Sequence, residues 1–253
     1  MDLALAYYNL QHFVYLKSTP STNECRANVS SLNIPNHNYC VYTYNQTEGR
    51  GQIGRKWFSG EGENIACSFY YQVNKLNARD QFKINIAVCL ALHDVIRYYL
   101  PSQAIKIKWP NDIYIDNMKV AGILIQNQIK GHYISTTTIG IGININSQDF
   151  PEELLNPISI NHYIKNNSDI NKLELLHQLS IMLSHRLNQM VIRDMTTDYI
   201  SKLYRINERH NYARKNEEIF SGEIIGISVC GKLLMNTNTG TQEFSFREMS
   251  YII

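Results

Sequence analysis

Two hydrophobic periods run along the chain, and each change of period marks a new element. Cys40-Val41-Tyr42-Thr43-Tyr44 and Ile65-Ala66-Cys67-Ser68-Phe69-Tyr70-Tyr71 are rich in β-branched and aromatic residues and predict strands, with an earlier one over His12 to Lys17. Between them, Ser18-Thr19-Pro20-Ser21-Thr22-Asn23-Glu24 offers a turn and several helix N-caps, so a short helix is expected through Val29. Arg79 to Leu100 predicts a long helix, apolar on nearly every side between Ile84 and Leu92 and therefore deeply buried. Strand-like runs follow at Ile105 to Trp109 with Ile113 to Ile115, at Val120 to Gln126 and at Tyr133 to Ile145. Asp116-Asn117 is a hairpin turn signal that would bring Lys119 alongside the strand bearing Asp112.

Residues 147–170 are rich in Asn, Pro and Ser and predict a connection with little regular structure. Leu173, Leu176, Leu179, Leu183, Leu187 and Met190 recur at helical spacing, and Tyr199, Ile200, Leu203 and Tyr204 predict a second helical stretch. From Gly222 short strands alternate with turns, which predicts a small antiparallel module beginning near 212. The expected organisation is α+β: a mixed central sheet flanked by helices over residues 1–211, and a small β-barrel over 212–253.

Composition excludes the extremes. The 253 residues are 44% hydrophobic and 18% charged, which is globular rather than disordered. A net charge of +2 is too mild to imply a nucleic-acid surface. The five cysteines are scattered and form no C-x-x-C pair, so reduced thiols in a cytoplasmic protein are expected rather than disulfides or zinc. Met1 to Tyr8 carries an early acid and no basic region, unlike a secretion signal, and no stretch is long and apolar enough to span a bilayer.

The candidate chemistry begins in Tyr44 to Trp57. Gly49, Gly51 and Gly54 permit close backbone approach, so amides there could face an anion, and Arg50, Arg55 and Lys56 add fixed cations. These glycines also spell G-x-G-x-x-G. A dinucleotide fold needs a helix opening on them, whereas glycine-punctuated loop and then a strand follow here, which excludes that reading. Lys108-Trp109-Pro110-Asn111-Asp112 is a turn sequence at a strand end, and Lys119 opens an apolar strand. In Ile139-Gly140-Ile141-Gly142-Ile143-Asn144, glycines on one strand face leave room either for a ligand or for close packing of another element. The chain holds no H-E-x-x-H, G-x-S-x-G or Walker motif, and His93 reads as a core residue.

Taken together and in order, Ser21-Thr22-Asn23, Gly49-Arg50-Gly51 through Trp57, Lys108 to Asp112, Lys119 to Leu124 and Gly140 to Asn144 resemble the motifs of biotin protein ligases. The resemblance is strong over about residues 10–146 and weak over the C-terminal module. It implies a class II synthetase-like catalytic domain that joins biotin to ATP as biotinyl-5′-AMP, releases pyrophosphate, and passes biotin to a lysine of a biotin carboxyl carrier domain. Lys119, Arg50 and Asp112 are implied as catalytic residues. Biotin would be bound by Ser21, Thr22, Asn23, Gln46, Gly49, Arg50, Gly51, Gln52, Lys119, Gly122 and Gly140, and ATP by Arg50, Arg55, Lys56, Trp57, Asn111, Lys119 and Asn144. Asp112 is also the implied Mg²⁺ ligand.

Two departures stand out. Gln52 and Ile53 occupy positions where many members carry arginine, so the loop's hold on the adenylate is open. Ser21-Thr22-Asn23 comes too early to leave room for the helix-turn-helix domain of some members, so no DNA binding is expected. A homodimer is compatible with the resemblance. The rival reading within the superfamily is a lipoate or octanoate ligase or transferase; outside it, a noncatalytic binding module built on the C-terminal strands.

Overall fold

A computed structural model describes residues 10, 12–25, 37–52, 54–164 and 169–253. Its framework is a seven-stranded sheet in the order β1-β2-β3-β7-β6-β5-β4. The strands are β1 (His12–Tyr15), β2 (Tyr39–Thr43), β3 (Ile65–Asn77), β4 (Ile105–Lys108), β5 (Asp112–Ile115), β6 (Met118–Lys130) and β7 (Tyr133–Ile143). β1 and β2 run parallel and every other neighbouring pair is antiparallel, so the sheet is mixed as expected. β2 leads into a loop and then into the antiparallel β3, which disposes of a dinucleotide fold.

Side-chain alternation gives this sheet two unlike faces. Cys67 and Phe69 on β3, Ile123 on β6, and Ile139, Ile141 and Ile143 on β7 belong to the main core, together with helices α1 (Phe82–Tyr99) and α2 (Lys172–Ile192). α1 is buried over most of its surface because its apolar residues follow no single stripe. His93 in α1 is buried, with Nδ1 3.4 Å from Asp94, a core residue as expected. On the opposite face small or polar residues recur: Ser68 lies across from Gly140, and Gly142 across from Gly122.

Asp116 adopts a positive φ and closes the expected β5–β6 hairpin, which places Lys119 in register with Tyr114. Among its described residues the 147–170 connection has one short 3-10 turn, Ile160–Tyr163, and Asn146 pins its far end through both amide atoms to Ile170. A short helix, α3 (Thr196–Ser201), replaces the longer stretch expected through Tyr204.

The C-terminal module comprises β8 (Arg209–Arg214), β9 (Ile219–Ile227), β10 (Leu233–Thr237), β11 (Gly240–Phe244) and β12 (Met249–Tyr251). It begins three residues before the expected boundary, because the polar β8 carries no apolar alternation. Its order is β11-β10-β9-β8-β12, with no ladder joining the two outer strands among the described residues, so an open sheet stands where a barrel was expected. Trp109 Nε1 donates to the Gly231 carbonyl (2.9 Å) and ties this module to the main sheet.

The helix expected through Val29 begins as the 3-10 turn Thr22–Glu24, and residues 26–29 lie outside the described residues, as do residues 1–9 and Ile53. The five cysteines are free thiols, four of them buried. Among the described residues no helix is long and apolar enough to cross a membrane.

Candidate functional site

The small-residue face of the sheet collects most of the candidates. A Cβ on Gly140 would fall 2.2 Å from Asn23 Oδ1, and one on Gly142 would fall 2.2 Å from the Trp57 indole. Gly122 underlies both Trp57 and the Lys119 side chain. The absence of side chains at these three positions is therefore what lets Asn23, Trp57 and Lys119 lie against the strands.

At one end the groups are neutral and tightly bonded. The Thr22 amide and hydroxyl both donate to Gln46 Oε1, at 2.8 and 3.2 Å. Ser68 Oγ lies 2.8 Å from Thr22 Oγ1 and donates to Asn23 Oδ1, and the Tyr70 hydroxyl donates to the Thr22 carbonyl. Burial pushes the Tyr70 phenol well above its ordinary pKa, which keeps it a donor. Ser21 is buried, its carbonyl accepting from Cys25 Sγ at 3.2 Å.

The loop joins this end through its backbone. Thr47 and Glu48 donate their amides to Thr19 and Pro20, and Arg50 pairs with Glu24. Beyond Arg50 the loop doubles back: Gly51 N donates to Arg55 O, Trp57 N to Gly49 O, and Arg50 bridges Lys56, with Gly54 at φ +79° near the tip. Among the described residues, the amides of Gly51, Arg55 and Trp57 are thus spent on the loop itself. Gln52 Oε1 and Trp57 Nε1 are buried with no hydrogen-bond partner among the described residues.

At the other end charge dominates. Lys119 Nζ lies 2.8 Å from Asp112 Oδ1 and 5.6 Å from the Trp57 ring centroid. Its backbone is held by the 147–170 connection, the amide donating to Asn156 and the carbonyl accepting from Ile158. Asp112 faces Lys108 across the tight β4–β5 turn, whose Pro110 carbonyl accepts from Asn85 Nδ2 (2.7 Å) and the Tyr199 hydroxyl (2.9 Å). Lys108 itself donates to the Tyr114 hydroxyl (2.9 Å) and lies over the Tyr114 and Tyr251 rings. Burial lowers its pKa to about 8; Asp112 opposes the shift, and Lys119, Arg55 and Arg205 add to it.

The expected nucleotide contacts divide. Arg55 and Lys56 are exposed on the loop, and the Arg55 charge is felt at Lys108. Asn111 and Asn144 are buried, and their side-chain amides donate to the carbonyls of Ile123 and Lys119, so both brace strands as the chain stands. Arg50 and Lys119 have different ion-pair partners, Glu24 and Asp112. Among the described residues no group of three His, Cys, Asp or Glu side chains is placed to hold a metal, and Asp112 is a single carboxylate already matched by Lys119.

Ser68, Tyr70, Glu24 and the Lys108–Tyr114–Tyr251 cluster were not singled out from sequence as separate contributors. The period of two along β3 could have placed Ser68 and Tyr70 on the face of Gly140. In the C-terminal module, Arg214, Lys215, Gln242, Phe244 and Glu248 line a concavity of about 570 Å³. Its Arg214 is already engaged by Gln242 and by the Phe220 and Phe244 rings.

The chain is 29% identical over 240 residues to the bifunctional ligase/repressor BirA of Bacillus subtilis, covering 92% of this chain and 72% of that protein. It is 32% identical over 106 residues to a biotin--[acetyl-CoA-carboxylase] ligase of Paracoccus denitrificans, covering 42% and 43% of the two chains. The fold matches that of the biotin protein ligase from Aquifex aeolicus in complex with biotin and ATP, with a TM-score of 0.74 over 95% of this chain and 98% of that one at 24% identity. The profile of the biotin/lipoate A/B protein ligase family matches residues 15–144, just over half of the sequence, and the chain belongs to that family.

Proposed function

We propose that this chain is an ATP-dependent biotin protein ligase, with residues 1–211 binding both ligands and 212–253 forming a smaller module. One observation carries the reading: a single strip of glycines connects the neutral hydrogen-bonding cluster at Asn23 to the ammonium of Lys119. Biotin has the matching polarity, with a ureido ring that both donates and accepts at one end and a carboxylate at the other.

In the first step a carboxylate oxygen of biotin attacks the α-phosphorus of ATP and pyrophosphate leaves. Two anions must approach, so a fixed cation has most effect where their charges meet, and Lys119 takes that role. Asp112 holds the Lys119 ammonium in place. Arg50 leaves Glu24 to engage the ligand, and Trp57 covers it from the loop. Asp112 would be the residue to help hold a Mg²⁺, which would offset negative charge on the nucleotide's phosphates. In the second step the amine of a carrier-domain lysine attacks the acyl carbon, AMP leaves, and the nitrogen gives up a proton.

The test is to incubate the purified protein with ATP, Mg²⁺ and either biotin or lipoate, and to follow pyrophosphate and the acyl adenylate by mass. Biotinyl-AMP is the expected product. Adenylate formed with lipoate and not with biotin would falsify the proposal, and no turnover of either would favour a binding module.

A further inference from the structure

Lys119 reaches the site by breaking the alternation of its own strand. It stands three residues from Gly122, so on a regular strand the two would point to opposite faces. Yet a Cβ on Gly122 would lie 3.3 Å from Lys119 Nζ, and the residues between them, Val120 and Ala121, are both buried in the main core. The pairing of β5 with β6 accounts for this. Ile113 lies across from Ala121 and Tyr114 across from Lys119, which makes Val120 an extra residue, a β-bulge. Without it Lys119 would fall on the face of Ala121 and Ile123, inside the core.

A bulge disrupts the ladder locally, and here the main chain around it is held from the β7 side. β7 ends at Ile143, and the next amide, that of Asn144, donates to the Val120 carbonyl (2.9 Å). Beyond that point residues 156–158 take over the edge as a parallel bridge. Lys119 N donates to Asn156 O (2.6 Å) and Ile158 N donates to Lys119 O (3.0 Å), with Pro157 as the bridge partner of Lys119. Both bonds use the neighbours of Pro157, so its missing N–H costs nothing there. Asn156 enters the bridge at φ +50°, a left-handed conformation that asparagine tolerates and β-branched residues resist. Its side chain is exposed, and what it gives Lys119 is a main-chain carbonyl.

Resting on the function proposed above, we propose that Asn156 is a positioning residue for adenylation: its left-handed backbone brings its carbonyl onto the Lys119 amide, holds the bulge at Val120, and so keeps the ammonium on the substrate face. A backbone at 156 that leaves this conformation releases the Lys119 amide, and the cation is then displaced from the point where two anions must meet.

Asn156→Val and Asn156→Gly separate conformation from composition. Both remove the side-chain amide, but valine resists the left-handed region and glycine enters it freely. In steady-state adenylation Asn156→Val should lower kcat about tenfold with KM for biotin and for ATP within about threefold, whereas Asn156→Gly should stay within about twofold of wild type. Hydrogen exchange at the Lys119 amide, measured without substrate, should quicken in Asn156→Val and not in Asn156→Gly. Because the effect passes through the Lys119 ammonium, adding Asn156→Val to Lys119→Ala should cost less than about twofold beyond Lys119→Ala alone. A wild-type kcat in Asn156→Val, an equal fall in Asn156→Gly, unchanged exchange at Lys119, or full additivity with Lys119→Ala would each overturn the inference. If the wild-type chain itself makes no adenylate from biotin, the proposed function falls and this inference falls with it; an active wild type with any of those four outcomes removes this inference alone.

Discussion

The two ends of the glycine strip are built on opposite principles. Around Thr22, Asn23, Gln46, Ser68 and Tyr70 the polar contacts are neutral, directional hydrogen bonds between groups that are mostly buried. Around Lys108, Asp112 and Lys119 the organising feature is a field, with one carboxylate between two ammonium groups and further cations nearby. Directional bonds select a shape and fail when one proton is misplaced, whereas a field acts on charge and tolerates small displacements. Recognition of a head group calls for the first, and joining two anions calls for the second.

That contrast fails outright if Lys119→Ala retains activity. Loss of the cation should lower the rate of adenylate formation about 10³-fold with the thermal midpoint little changed, and Lys119→Arg should recover part of it. Single-turnover formation of the adenylate provides the measurement. At the neutral end, Gly140→Ala should drive Asn23 off the sheet and raise KM for biotin about tenfold, leaving ATP binding intact. Equal losses for both substrates would show that the strip is one undivided site.

A pH series probes the field directly. The folded pKa of Lys108 is about 8 against an ordinary 10.5. Below pH 8 folded and unfolded chains both carry this proton, so the full cost of burying the charge is present. Between pH 8 and 10.5 the folded chain sheds the proton while the unfolded chain keeps it, so this group adds stability as pH rises. Denaturant titrations should show that gain, about 1–3 kcal/mol, in the wild type and its loss in Lys108→Met. A parallel pH profile in the two proteins would mean that Lys108 is solvated. The smallest effect is expected for Arg50→Ala, whose exposed pair with Glu24 should contribute less than about 1 kcal/mol to stability. Dissociation of the adenylate from that variant should nevertheless quicken, which separates ligand binding by Arg50 from any structural duty.

Much of the framework was legible because it depends on periodicity. Ile84 to Leu92 could only be a buried helix, and the apolar run after Lys119, returned by Asp116-Asn117, could only be the second arm of a hairpin. Polar strands escaped for the same reason: β8 reads RHNYAR without alternation, and β6 continues through QNQIK to Lys130, well beyond the expected Gln126. Whether the last five strands close into a barrel depends on pairing between β11 and β12, which no local pattern encodes. In the site, motif order located Lys119, Asp112 and the three glycines. It could not reveal that Asn111 and Asn144 brace carbonyls or that Ser68 contacts Asn23, since these are contacts between segments 12 to 45 residues apart, nor which loop amides bond one another over 3 to 8 residues.

Trp57 has one more consequence. The chain contains two tryptophans, and they sit in unlike surroundings: Trp109 is buried and bonded to Gly231, while Trp57 lies on Gly142 and Gly122 with its N–H unanswered among the described residues. Any molecule that comes to occupy the strip must change the polarity around that one indole and leave the other untouched. The protein therefore carries its own optical reporter: its emission should shift when ligand arrives, and a Trp57→Phe variant should fall silent to the same addition.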